Sequence, residues 1–248
     1  MCGRIVLAAE PDYLARIFEA RLDGQLFEGW QPRWNVGPTS QIAGISDEEG
    51  GRVLAPYRWG LVPSWAADPS AFRSTFNARA ETVASKPTFS TAFRHSRILI
   101  PVDGFFEWET LASNRKRPYV FTRGDGGAVV FAGLGDRWVG PGGDEIHSAA
   151  IITVPAGPDM PIHTRQPVVL EARDWDHWLD PDIDQPAALG PLLTASFPGT
   201  LVHHPVDPRV GSVANDGPEL MDEVVPGDGP QLELPLGMAD PSENPTNW

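Results

Sequence analysis

Cys2 is the only cysteine of the chain, and it stands second in the sequence Met1-Cys2-Gly3-Arg4. Removal of the initiator Met1, which the small second residue permits, would leave Cys2 with a free α-amine and a thiol on neighbouring carbons. Such a 1,2-aminothiol condenses with an aldehyde to an imine, and the thiol then closes on the imine carbon to give a thiazolidine. The amine titrates at roughly 7.7–8.0 and an ordinary thiol at about 8.5, so both nucleophiles are partly available near neutral pH. Position alone favours an incidental cysteine near a loose terminus.

Other residue types point to supporting chemistry. In Gly104-Phe105-Phe106-Glu107-Trp108-Glu109, strand alternation puts Phe105, Glu107 and Glu109 on one face and Phe106 and Trp108 on the other. A carboxylate among large aromatics is partly desolvated, the tuning that general acid–base work needs. His163, in Ile162-His163-Thr164-Arg165-Gln166-Pro167, could move a proton between amine, hydroxyl and thiol. Asn77 can donate to and accept from a sugar hydroxyl or imine nitrogen, and Arg79 can pair with a phosphate. Pro38, Trp59 and Trp65 lie in Gly/Pro-rich loops, where an indole could stack on an unpaired base. Each also has a plain structural reading: a solvated Glu107, a loop-capping His163, an N-cap Asn77, core indoles. His203-His204 beside a strand hints only weakly at a metal, because no third ligand is apparent.

These residues must be held by short elements, since 25 Gly and 26 Pro demand many turns. The pattern predicts strands at 4–8, 41–46, 52–61, 97–101, 104–109, 119–123, 128–134, 149–154 and 201–206. Pro11 opens a helix whose apolar face is Tyr13, Leu14, Ile17, Phe18 and Leu22. A short helix is expected to start within Asn77–Thr82, and another around Trp175, Trp178 and Leu179. Residues 31–39 read as a loop. Together this predicts an α+β fold: one domain with a curved, barrel-like, mostly antiparallel sheet and short flanking helices. The domain is expected to span residues 1–220, and residues 221–248 read as an acidic, Pro/Gly-rich, disordered tail.

The net charge of −14 argues against a generally basic nucleic-acid binder. Eight acids and no Lys or Arg follow Gly211, however, so residues 1–210 carry only −6 and a local basic cleft remains open. One cysteine excludes an intrachain disulfide and a cysteine-rich zinc site, and neither a signal peptide nor a membrane-spanning run is apparent. A cytoplasmic monomer with a reduced thiol is expected.

Taken in order, Met1-Cys2-Gly3-Arg4, Trp59-Gly60-Leu61-Val62-Pro63-Ser64-Trp65, Asn77-Ala78-Arg79-Ala80-Glu81-Thr82, Pro101-Val102-Asp103-Gly104-Phe105-Phe106-Glu107-Trp108, Phe131-Ala132-Gly133-Leu134 and His163-Thr164-Arg165-Gln166-Pro167 resemble the SOS-response-associated peptidase family over residues 2–215. The resemblance implies a cofactor-free protein that binds single-stranded DNA at abasic sites and joins Cys2 to the ring-opened sugar as a thiazolidine. It implies Asn77 orienting the sugar, and Glu107 and His163 moving protons. Arg4, Arg79 and Arg165 would contact phosphates, and Pro38, Trp65 and Thr153 would line the DNA path. Gln166 stands where the family usually has Met, and Phe106 where it has Tyr. Two alternatives stay open: a peptidase that uses Cys2 on amides and removes its own Met1, and a non-catalytic single-strand binder.

Overall fold

The computed structural model describes residues 2–23 and 27–225. Its centre is a run of antiparallel neighbours. β4 (Gln41–Glu48) and β5 (Gly51–Trp59) form a hairpin, turned at Gly50 and Gly51 with φ of +97° and +111°. β7 (Arg97–Val102) lies beside β4, followed by β10 (Val129–Val139) and β11 (Glu145–Pro155). β11 then meets β5 in parallel at Ser148↔Arg58 and Ala149↔Trp59. That last pairing closes β5-β4-β7-β10-β11 into a five-stranded barrel. β2 (Arg21–Leu22) flanks β5, while β6 (Asn77–Arg79) and β12 (Arg165–Pro167) both pair with β11.

A second, five-stranded sheet covers one side. It contains β1 (Ile5–Leu7), β3 (Arg33–Val36), β8 (Gly104–Thr110), β9 (Lys116–Arg123) and β13 (Leu201–Pro205), in the order β13-β9-β8-β1-β3. Ile5, Phe105 and Phe121 face the barrel residues Ile98, Ile100 and Phe131 in one apolar core that also takes Cys2. Phe106 points the other way, into a smaller core with Val6, Val120, Val206 and Leu220. The alternation expected for 104–109 therefore holds.

Helices close the barrel's far side. α1 (Pro11–Ile17) buries Leu14, and Phe18 follows it into the core. Tyr13 and Ile17 are 47% and 41% exposed, so the expected apolar face is narrower than the spacing suggests. α2 (Ala80–Val83) and α3 (Pro87–His95) lend Val83, Phe89 and Phe93 to the same core. α4 (Trp175–Leu179) adds Trp178, and α5 (Pro186–Leu189) adds Leu189. The buried Arg97 guanidinium satisfies the carbonyls of Phe93, Arg94, Trp178 and Asp180, the open C-terminal ends of α3 and α4.

Four further expectations need correction. Residues 33–36 form β3 rather than loop, because Ile5↔Val36 and Leu7↔Arg33 pair with the edge of β1. Asn77 is not a helix cap: it begins β6, and the cap of α2 is Arg79. The hairpin of β10 and β11 extends to Val139 and back from Glu145, well past the apolar runs that marked it. The expected tail begins at 221, but Met221 packs on the Phe106 core and the Val224 N–H donates to the Pro205 carbonyl. The rest of that expectation, residues 226–248, lies outside the described residues. Among the described residues no helix is long and apolar enough to cross a membrane.

Candidate active site

Cys2 precedes β1, whose antiparallel pairing with β8 fixes its surroundings. Ile5 lies opposite Phe105, and the Phe106 N–H donates to the Arg4 carbonyl at 2.9 Å. Continuing that register toward the N-terminus sets Glu107 across from Gly3, next to Cys2. Both Cys2 and Glu107 are buried, at 0% and 4% exposure. Burial first, and the Glu107 charge second, push the Cys2 thiol far above its ordinary range. The site therefore sets a buried thiol beside the buried Glu107 side chain.

Asn77 approaches from the barrel. β6 lies parallel to β11, with Asn77 beside Ile151. Asn77 Nδ2 donates to the Cys2 carbonyl at 2.7 Å. Asn77 Oδ1 is buried and has no hydrogen-bond partner among the described residues. An unfilled acceptor of this kind is costly unless a ligand uses it.

His163 belongs to the loop between β11 and β12. His163 Nδ1 folds back on Arg165, 3.0 Å from its backbone nitrogen and 3.1 Å from its carbonyl oxygen. The neighbouring Ile162 packs against the core that contains Cys2. The loop base is pinned by the buried Gln166, whose Oε1 accepts from the Gly157 N–H at 2.7 Å and whose Nε2 donates to Ser196 Oγ at 3.1 Å. A cavity of about 420 Å³ lined by Leu7, Leu14, Phe27, Trp30 and Ile42 includes none of these site residues.

The profile of the SOS response associated peptidase family matches residues 1–213. The chain belongs to that family. The abasic site processing protein YoqW of Bacillus subtilis is 34% identical over 224 residues, covering 90% of this chain and 99% of YoqW. YedK of Escherichia coli, which carries the same description, is 31% identical over 90% of this chain and all of its own length. A crystal structure of a Bacteroides thetaiotaomicron protein superposes with a TM-score of 0.81 at 21% identity, over 90% of this chain and all of that one.

The residues that the family resemblance assigns to DNA are placed unevenly. Arg79 is exposed, with its charge near the Glu81 carboxylate. Arg165 is half-buried and engaged: it meets Glu81 through two parallel bonds at 2.7 and 2.9 Å and reaches the Thr153 carbonyl at 2.7 Å. Thr153 is fully buried beneath it, so its hydroxyl supports Arg165 rather than lining open surface. Arg4 donates to Asn35 Oδ1 and to the Val210 carbonyl, both at 2.7 Å, and lies over the Trp108 ring. It clamps residues 210–215 together with Asn35. Pro38 is half-buried in a turn where Thr39 takes φ +74°. Trp65 is 58% exposed, whereas Trp59 is buried with its Nε1 on the Phe76 carbonyl.

Two of the family departures have a local fit: Phe106 packs in an apolar cluster, and Gln166 is a satisfied polar tie. His203 stacks on Phe121 while His204 Nε2 donates to the Met221 carbonyl, so the two histidines do not converge. Sequence reasoning missed Glu81, Asp136 and Ser148. Only Glu81 lay within a quoted motif, two residues after Arg79.

Proposed function

We propose that this chain processes abasic sites in single-stranded DNA, and that Cys2, freed of Met1, links covalently to the sugar aldehyde. The observation that carries this reading is the convergence of Asn77 and Glu107 on Cys2, from two different sheets. The described names of the relatives YoqW and YedK support the substrate class.

The ring-closed sugar opens when its hydroxyl proton is passed to Glu107 or His163. The Cys2 amine adds to the aldehyde carbon, and the resulting carbinolamine loses water to give an imine. The thiol sulfur then attacks the imine carbon. Its proton passes through the carboxylate to the former imine nitrogen, so the ring closes with no net loss of charge. Glu107 resists a free thiolate yet is placed to take the proton as the C–S bond forms. Asn77 Nδ2 holds the Cys2 main chain, and its Oδ1 accepts from a sugar hydroxyl. Holding both nucleophiles at one carbonyl supplies the effective concentration that solution chemistry lacks. Arg79 and Arg165 contact phosphates, and Trp65 and Pro38 pack on flanking bases.

The direct test compares wild type with Cys2→Ala on an oligonucleotide with one abasic site. Wild type should give an adduct that survives denaturation, and Cys2→Ala should give none. Equal adduct yields would refute the proposal.

A further inference from the structure

The loop from β5 to β6 carries Trp65 and runs directly into Asn77. Residues 62–66 of this loop have no strand partner. Three side chains of the β10–β11 hairpin take their backbone groups instead. Ser148 Oγ accepts from the Val62 N–H at 2.8 Å, Asp136 Oδ2 accepts from the Ser64 N–H at 2.9 Å, and Trp138 Nε1 donates to the Ala66 carbonyl at 2.7 Å. Asp136 and Trp138 alternate along β10, and Ser148 lies directly opposite Asp136 on β11. The three therefore share one face of the hairpin.

This face grips every second residue of the loop. Trp65 falls between two gripped positions and projects outward, edge-on to Phe72 with ring centroids 5.8 Å apart. Phe72 is itself held, since Thr75 Oγ1 donates to the carbonyls of Leu61 and Phe72 at 2.6 and 3.0 Å. Val62, Ala66 and Trp138 form their own small apolar cluster, with Phe72 and Ile146 against it. The second Asp136 oxygen accepts from the Arg137 N–H at 2.8 Å, which fixes the carboxylate's orientation.

We propose that Asp136, Trp138 and Ser148 are positioning residues that pre-set Trp65 for stacking on an unpaired base. The proposal rests on the stacking role given to Trp65 above. A loop already held in its binding pose loses little conformational freedom when the strand arrives.

The test uses an undamaged single-stranded oligonucleotide, which offers no aldehyde, and reads affinity by fluorescence anisotropy. Trp65→Ala and Asp136→Ala should each weaken binding about tenfold, in the range of one lost base stack. The double variant should bind no more weakly than Trp65→Ala alone, because Asp136 acts only through the indole. Ser148→Ala should behave as Asp136→Ala does, and Asp136→Asn, which keeps one acceptor, should recover part of the loss. If Asp136→Ala does not fold, Ser148→Ala and Asp136→Asn carry the same cycle. Wild-type affinity in the hairpin variants beside a weakened Trp65→Ala, or additive losses in the double variant, would overturn the positioning role. Wild-type affinity in Trp65→Ala would instead remove the stacking reading itself.

Discussion

At the scale of residues, the account turns on a thiol kept protonated. Burial and Glu107 raise the folded-state value of Cys2, while the unfolded chain keeps an ordinary value near about 8.5. The unfolded state therefore releases its proton first as the pH rises. The contribution of the neutral, buried thiol to stability is fully present below about pH 8.5 and is lost as the pH climbs toward the folded value. Alkylation of native protein by iodoacetamide should be far slower than that of the denatured chain, and should barely accelerate between about pH 7.5 and 9. A native rate that rises roughly tenfold over that interval would show an ordinary thiol. Glu107→Gln separates the two roles of the carboxylate. Without the negative neighbour, Cys2 should label modestly faster, while adduct formation should slow by about 100-fold or more. Equal rates in both assays would remove Glu107 from the chemistry.

At the scale of elements, the His163 loop depends on a tie that a purely apolar side chain cannot make. Gln166→Met should leave the Gly157 N–H and the Ser196 hydroxyl without their partner, at about 1–3 kcal/mol. By calorimetry that is a Tm lower by several degrees, at about 2–4 °C per kcal/mol for a chain of this size. An unchanged Tm would mean that the loop repacks around the thioether. The strands most readable in the sequence were those with apolar runs between Gly and Pro punctuation, such as β4, β5, β7 and β10. β3 was hidden because Trp34-Asn35-Val36 lies among prolines and acquires its pairing only from β1. The sequence around β6 reads as a helix start because Asn77 and the nearby Ala80-Glu81-Thr82 suit one locally, whereas its partner β11 lies more than 70 residues away. The same distance limited the site. Residue types suggested Cys2, Glu107, Asn77 and His163, but the Asn77–Cys2 bond and the grip of Asp136 and Ser148 on the Trp65 loop exist only in three dimensions. Thr153 and Arg4, which family position assigns to DNA, also bond to Arg165 and to residues 210–215, contacts that the sequence does not reveal.

At the scale of the whole molecule, barrel closure brings distant segments to one place. The β5–β11 pairing anchors one end of the Trp65 loop, β6 anchors the other, and the covering sheet brings Cys2 and Glu107 against them. The net charge of −14 means that the proposed attraction for DNA has to be local, and of the arginines assigned to it Arg165 is already paired with Glu81. The central claim is covalent capture of an aldehyde by the amine and thiol of a processed Cys2. Intact mass spectrometry of the protein mixed with an abasic-site oligonucleotide tests it most directly, with the sample read before and after borohydride treatment. The account predicts the mass of the Met1-less protein plus the oligonucleotide less one water, unchanged by borohydride because a thiazolidine has no imine to reduce. Only unmodified protein, or an adduct that borohydride converts, would contradict it.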